Sequence, residues 1–195
     1  MGLPLRDARR HTYAEYCTWP EEVRYELIAG RAYAMAPAPG RLHQALVGEL
    51  HRQVANALQG HPCRVYVAPF DVRLPRAGEA DEDVDTVVQP DLSVIYDPAK
   101  LDARGCRGAP DWIVEVLSPA TAAHDQILKR ELYERCGVAE YWLVHPQDRL
   151  VLVYRLAGGA YGKPDGHEFE GTLASHAVPA VTVDLSALAV LAAEG

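Results

Sequence analysis

Hydrophobic residues recur along this chain at two periods, which indicate where helices and strands lie. Leu42, Leu46, Leu50, Val54 and Leu58 are spaced four residues apart, which predicts an amphipathic helix over 42–58. Further helices are predicted over 12–19, over 121–136 and in the tail beyond residue 184. Short apolar or β-branched runs predict strands at 25–28, 31–36, 63–67, 70–74, 87–96, 112–117, 140–144 and 150–156.

The runs 87–96 and 112–117 are almost continuously hydrophobic, which is typical of central strands that are covered on both faces. The order of the elements therefore predicts an α/β fold in which helices flank a mixed sheet. A length of 195 residues, with 49% hydrophobic and 24% charged residues, fits a single soluble domain over 1–195. We expect residues 1–11 to be flexible and residues 75–86 to form an exposed loop.

The composition counts against three classes: membrane proteins, zinc-binding proteins and proteins that coat nucleic acid nonspecifically. No apolar run reaches the roughly 18 residues that a membrane helix needs, so a membrane partner is not expected. The four cysteines lie far apart without a CxxC pair, which favours reduced thiols in the cytoplasm over a zinc site. The net charge of −8 counts against a protein that coats nucleic acid nonspecifically, because phosphate binding depends on Lys and Arg. Local or metal-dependent binding of nucleic acid stays compatible with that charge.

The candidate chemistry lies in acidic residues within apolar strands. Asp91 follows Pro90 at the start of one apolar run, and Glu115 lies inside the run IVEVL. A carboxylate buried in a central strand must be paired or must bind a metal ion. The alternative to a metal site is a buried ion pair with an arginine.

A second Pro-Asp pair, Pro110-Asp111, competes with Pro90-Asp91 for the role of metal ligand. Asp111 and Glu115 would share a strand face but lie about 13 Å apart at the usual rise per residue. Two carboxylates that bind one Mg²⁺ must each bring an oxygen to about 2.1 Å from it. Asp111 is therefore predicted to begin or cap the strand, whereas Asp91 can lie beside Glu115 from another strand.

Longer segments carry a family resemblance. These are YELIAGRAYAMAPAPGRLHQALVGEL, QPDLSVIYD, GAPDWIVEVLSPATAAHDQILKRELYERCGVAEYWLVHP and the tail EFEGTLASHAVPAVTVDLSAL. From about residue 12 to residue 156, and again in the tail, the chain resembles the Uma2 family, a branch of the PD-(D/E)XK nuclease superfamily. The resemblance implies a restriction endonuclease-like core and an endonuclease that hydrolyses DNA phosphodiester bonds with Mg²⁺ or Mn²⁺. It also implies that Asp91 and Glu115 bind the metal, with the Val116 carbonyl as a third ligand.

The same resemblance suggests supporting residues. Glu26 matches an acidic residue that the family places near the site, although a surface charge on a strand is an equal alternative. Gln89 precedes the Pro-Asp pair and could orient the attacking water. His43 lies at the start of a helix, where a structural hydrogen bond is the more common role for a single histidine.

The chain departs from the superfamily at Leu117, where the pattern has a lysine two residues after the glutamate. Lys129 on the following helix is the predicted replacement, as the family pattern also suggests. Asp125, Lys129 and Tyr133 are four residues apart and would form one polar stripe along that helix. The alternative is a surface Lys129 that pairs only with Asp125.

Two functional classes therefore stay open. The first is the metal-dependent nuclease, which Asp91, Glu115 and Lys129 favour. The second is a nuclease fold without turnover that serves as a DNA-binding or oligomeric scaffold, which Leu117 and the negative charge favour. A homodimer is expected because cutting both strands of a duplex needs two sites related by a two-fold axis. The apolar tail over 178–191 is the predicted interface, with packing inside the same chain as the alternative.

Overall fold

The computed structural model describes residues 9–20, 24–35, 40–118 and 124–193, except for the side chains of 124–126. Its α-helices are α1 (Tyr13–Tyr16), α2 (Arg41–Ala57), α3 (Arg130–Cys136) and α4 (Leu185–Ala193). A π-helical turn, His124–Lys129, leads into α3, and Gly137 ends α3 with a left-handed φ of 85°. The predicted helix over 121–136 is thus π-helical at its described beginning, whereas its residues 121–123 lie outside the described part.

Strands account for most of the remaining elements. They are β1 (Tyr25–Ile28), β2 (Arg31–Ala34), β3 (Arg64–Val67), β4 (Val72–Arg73), β5 (Val87–Val88), β6 (Leu92–Ile95), β7 (Leu101–Asp102), β8 (Gly105–Arg107), β9 (Trp112–Val116), β10 (Glu140–His145), β11 (Leu150–Ala157), β12 (Ala160–Tyr161), β13 (Asp165–Glu168), β14 (Thr172–Ala174) and β15 (Thr182–Asp184). Short 3-10 turns lie at Asp81–Asp83 and Pro98–Lys100.

The larger sheet has the order β12-β11-β10-β9-β6-β3, and β13 also pairs with β11. Strands β9 and β10 are parallel, while β6 pairs with β9 and β10 pairs with β11 in the antiparallel sense. The second sheet has the order β2-β1-β5-β4-β8-β7, and β14 pairs with β15 separately. This is the mixed α/β arrangement that the order of elements predicted.

Both faces of the larger sheet are covered, which explains the unbroken hydrophobicity of its central strands. On one face, Trp112, Val114 and Val116 pack with residues of α2 and α4. On the other face, Ile113 and Leu117 pack with residues of α3 and of the second sheet. Because successive strand residues point to opposite faces, Glu115 points to the α3 face together with Ile113 and Leu117.

The apolar run 87–96 is two strands rather than the single strand that its hydrophobicity predicted. Strand β5 belongs to the second sheet and β6 to the larger sheet. Pro90 lies between them and lacks the N–H that a continuous ladder would need. The break places Asp91 where the two sheets meet.

Three further expectations differ in part from the described structure. In the segment 75–86, Val84, Asp85 and Thr86 are buried, so its end is not an exposed loop. In the segment 1–11, residues 1–8 lie outside the described part, but His11 is buried and its backbone N–H donates to the Gly30 carbonyl at 2.8 Å. The tail packs mostly within its own chain, because Val178, Val181, Val183, Leu185 and Leu188 lie in the core formed with α2, whereas Val190 is exposed.

Among the described residues, no helix is both long and apolar enough to cross a bilayer.

Candidate active site

Asp91 and Glu115 face each other across the paired strands β6 and β9. The register pairs Leu92 with Val114, so Asp91 and Glu115 lie one step further along the same ladder. The Asp91 carboxylate accepts a hydrogen bond from the Val116 backbone N–H at 2.8 Å. Glu115 Oε2 lies 3.4 Å from the Asp91 backbone nitrogen, which is long for a hydrogen bond. The structure thus brings together the two carboxylates that the sequence singled out.

The helix after β9 contributes a lysine and a tyrosine to Glu115. Lys129 Nζ lies 3.0 Å from Glu115 Oε1, and the Tyr133 hydroxyl donates to the same oxygen at 2.8 Å. Lys129 is only 4% exposed, so it is not a surface lysine. The Asp125 side chain lies outside the described part, so its place in the predicted polar stripe stays a prediction.

Glu26 of β1 completes this network from the second sheet. Its carboxylate lies 2.9 Å from Lys129 Nζ and accepts a hydrogen bond from the Gln89 backbone N–H at 2.9 Å. Glu26 is buried, which rules out the alternative of a surface charge. The ammonium of Lys129 is therefore held between carboxylates from both sheets.

The remaining predicted residues differ in how they contact this network. His43 Nε2 lies 3.2 Å from Asp91 Oδ2, so His43 contacts a proposed metal ligand directly. The Gln89 side chain is directed to Asp71 and Tyr16, and only its backbone contacts this network. The competing Asp111 caps the other end of the strand pair, where its carboxylate accepts from the Tyr96 backbone N–H at 2.7 Å.

The electrostatics of the cluster are dominated by negative charge. Glu26, Asp91 and Glu115 bring three carboxylates, against which Lys129 brings one ammonium. Burial raises the pKa of Tyr133 well above its usual value, and the neighbouring Glu115 carboxylate raises it further. Tyr133 therefore stays neutral and acts as a hydrogen-bond donor to Glu115.

The donor set fits a hard divalent cation. The hydrogen bonds that join the Asp91 carboxylate to His43 and to the Val116 N–H both use Oδ2. Glu115 Oε2 lies on the side of Asp91. A strand residue directs its N–H and C=O toward the same neighbour, so the Val116 carbonyl also lies on the Asp91 side. Within the described ranges no group of three His, Cys, Asp or Glu side chains is arranged to hold a metal ion. Mg²⁺ does not need such a group, because it commonly uses one or two carboxylates and keeps several waters.

Sequence reasoning missed a second polar cluster next to this site. Asp71 Oδ1 accepts hydrogen bonds from the Tyr16 hydroxyl at 3.0 Å and from the Gln89 amide at 2.9 Å. Burial raises the pKa of Asp71, and these two hydrogen bonds oppose that rise. The sequence contained an indication of this cluster, since Asp71 lies in the predicted strand 70–74, as Asp91 lies in the run 87–96.

Similar proteins are known for most of this chain. A family model described as "Uma2: Putative restriction endonuclease" matches residues 13–189, which include every residue of the network above. "Uncharacterized protein slr1290" of Synechocystis sp. is 29% identical over 132 residues, which are 67% of this chain. The matched region spans 65% of that relative's length, just under two thirds.

The fold also has a solved counterpart. The crystal structure of "a putative nuclease belonging to DUF820" from Anabaena variabilis matches with a TM-score of 0.73, over 93% of this chain and 98% of that one. At 20% sequence identity the likeness concerns the fold alone. It confirms the predicted restriction endonuclease-like architecture.

Proposed function

This chain belongs to the Uma2 family, and on that basis we propose that it is a metal-dependent endonuclease that hydrolyses phosphodiester bonds in DNA. Family and fold are those of a restriction endonuclease-like nuclease. The observation that carries the finer proposal is the group of three carboxylates at the junction of the two sheets, in which the buried Glu26 and Glu115 pair with Lys129 and the partly exposed Asp91 lies beside Glu115. Three carboxylates against one ammonium leave negative charge that a divalent cation can balance.

Asp91, Glu115 and the Val116 carbonyl would hold Mg²⁺ or Mn²⁺. When bound, the ion would supply Lewis-acid polarisation of a phosphoryl oxygen and a water of lowered pKa. Tyr133 and Lys129 fix Glu115 Oε1, so the other oxygen of that carboxylate is directed toward Asp91. His43 fixes the Asp91 carboxylate in the same way.

Lys129 is the proposed catalytic cation. Leu117 occupies the strand position where the superfamily has its lysine, and Leu117 is packed in the core. Lys129 brings an ammonium to the same Glu115 carboxylate from the helix instead. A fixed positive charge there can stabilise negative charge that develops on the phosphoryl oxygens. Glu26 is a proposed positioning residue, because it contacts Lys129 and the Gln89 backbone N–H.

The test is cleavage of plasmid and oligonucleotide DNA with Mg²⁺, with Mn²⁺ and without metal, combined with metal titration by calorimetry. Asp91→Asn and Glu115→Gln should each abolish cleavage and weaken metal binding. Asp111→Asn is the matched control, because it changes an aspartate that also follows proline but caps the far end of the strand. Wild-type cleavage by a purified Asp91→Asn or Glu115→Gln variant would refute the assignment of roles.

A scaffold without turnover is the second candidate function. The apolar side chain at Leu117 and the net charge of −8 favour it, since both reduce the positive charge available to DNA. Calorimetry separates the two candidates, because a protein that binds neither Mg²⁺ nor Mn²⁺ cannot be the proposed nuclease.

We propose further that the protein is a single-domain homodimer that acts in the cytoplasm, where its four free thiols stay reduced. Two copies related by a two-fold axis would match the symmetry of duplex DNA. Light scattering at working concentration should give twice the chain mass. A monomeric mass would refute the dimer and would favour nicking or a single-stranded substrate.

A further inference from the structure

A groove that the proposed chemistry does not use opens beside the carboxylate cluster. One part of it has a volume of about 540 Å³ and the other about 390 Å³, and both are lined by Pro69, Asp71, Gln89 and Arg104. The larger part lies within the range of small-molecule sites, ~300–1,000 Å³. We call this space the Trp19 groove, because Trp19 lines its larger part.

The Trp19 groove is linked to the active site through the backbone. The Gln89 side chain lines the groove, while its backbone N–H donates to Glu26 at 2.9 Å. The Asp91 carbonyl accepts a hydrogen bond at 3.2 Å from the backbone N–H of Ala68, which precedes the lining residue Pro69. A ligand in the groove would therefore lie next to the strand ends that carry the proposed metal ligands.

Aromatic rings form one wall of the groove. The rings of Tyr16 and Trp19 are 5.4 Å apart between centroids, and those of Trp19 and Tyr25 are 5.3 Å apart. Trp19 is half-buried, whereas the other two tryptophans, Trp112 and Trp142, are fully buried. A partly exposed aromatic ring that its neighbours hold in place can serve as a platform for an unstacked nucleobase.

The groove is also lined by groups that offer hydrogen bonds and positive charge. Both hydrogen bonds to Asp71 use Oδ1, so among the described residues Oδ2 has no hydrogen bond and can accept one from a base amine. Gln89 is held by Asp71, by Tyr16 and by Arg24, whose Nε donates to the Gln89 amide oxygen at 3.2 Å. Arg24 and Arg104 are exposed at the groove and supply local positive charge on a chain of net charge −8.

We propose that the Trp19 groove binds an unpaired nucleotide of the substrate strand, with its base against Trp19 and its phosphates near Arg24 and Arg104. A base that is paired and stacked in a duplex cannot present its face to Trp19. The preferred substrate is therefore DNA with a single-stranded or unstacked nucleotide beside the scissile bond. This inference rests on the proposed nuclease function for the cleavage step but not for the binding step.

The test separates binding from cleavage by using EDTA at low ionic strength. A single-stranded oligonucleotide should quench the emission of Trp19, whereas the same sequence as a duplex should quench it less. Trp19→Phe should remove the quenched signal, because Trp112 and Trp142 are buried away from solvent. By fluorescence anisotropy of a labelled single strand, Trp19→Ala should weaken binding roughly 5- to 150-fold, the range for loss of one stacked base.

Matched control variants test whether a loss of binding is specific to the Trp19 groove. Tyr96→Ala removes an aromatic ring that is 57% exposed elsewhere, and it should leave affinity unchanged. Arg104→Glu should weaken binding, whereas Arg135→Glu, on the exposed side of α3, should have a smaller effect. Arg104 is exposed, so its variant stays informative if Trp19→Ala fails to fold.

The outcomes distinguish this inference from the proposed function. Loss of binding in the Trp19 and Arg104 variants supports the groove even if the wild-type protein never cleaves DNA, in which case only the nuclease proposal fails. Wild-type affinity in both variants overturns the groove even if cleavage is robust. Equal quenching by duplex and single strand, or no binding of either, also overturns it.

Discussion

Replacing Lys129 with methionine is the sharpest perturbation of the site, because it removes a buried charge and keeps much of the volume. Lys129 Nζ lies 2.9 Å from Glu26 and 3.0 Å from Glu115. At an effective dielectric constant of about 20, two unit charges at that distance attract by roughly 5 kcal/mol. Desolvation offsets much of this attraction, and removing one partner of a buried pair costs about 3–5 kcal/mol in practice.

Lys129→Met should therefore lower the free energy of unfolding by about 3–5 kcal/mol in chemical denaturation at neutral pH. It should also reduce the cleavage rate on the order of 10²- to 10³-fold, as loss of a transition-state electrostatic contact does. Either result alone is ambiguous, because a destabilised site would also lose activity.

The double variant Lys129→Met with Glu26→Gln separates the two effects. Glutamine at 26 removes one buried negative charge and keeps an oxygen that can accept the Gln89 N–H. The double variant should regain most of the lost stability without regaining activity. Glu26→Gln alone is the control, since it leaves the pair of Lys129 with Glu115 in place. If the double variant cleaves DNA at the wild-type rate, Lys129 is only a structural counter-charge and the reasoning is wrong.

Three further predictions follow from the same contacts. Leu117→Lys added to Lys129→Ala should recover part of the cleavage rate, whereas Leu117→Met in that background should recover none. Tyr133→Phe should cost about 1.5–3 kcal/mol of stability by denaturation, because Glu115 loses a buried donor; an unchanged midpoint would contradict this. Because its folded pKa is raised, Asp71 contributes stability below its unfolded pKa that is lost as pH rises through the folded pKa. Asp71→Asn should therefore raise the melting temperature at pH 7 relative to wild type, by a margin that shrinks toward pH 4, and a constant margin would refute this.

The carboxylates of the site could be found in the sequence because they conflict with their surroundings. Glu115 is a charged residue in the run IVEVL, and Asp91 follows a proline at the head of an apolar run. The strand rise was enough to exclude Asp111, which the structure places at the opposite end of β9. Such conflicts between residue type and local pattern are what functional sites produce.

The second sheet could not be predicted in the same way, because its strands are short. Strands β4 and β5 have two residues each, too few to show a period. The run 87–96 looked like one strand because both of its halves are buried. The burial of Val84, Asp85 and Thr86 depends on contacts with α1 and with arginines distant in the sequence, such as Arg10, which is 2.8 Å from Asp85.

The proposed placement of the catalytic lysine on the helix instead of the strand has a structural consequence. A lysine at position 117 would reach Glu115 along its own strand, whereas Lys129 reaches it only when the helix is docked. Lys129 also contacts Glu26 of β1, so its ammonium connects the helix, the larger sheet and the second sheet. The proposed active site is then complete only when all three are packed together. Substitutions that loosen the packing between the two sheets, such as Ile28→Ala in their shared core, should therefore reduce activity at temperatures well below the melting temperature.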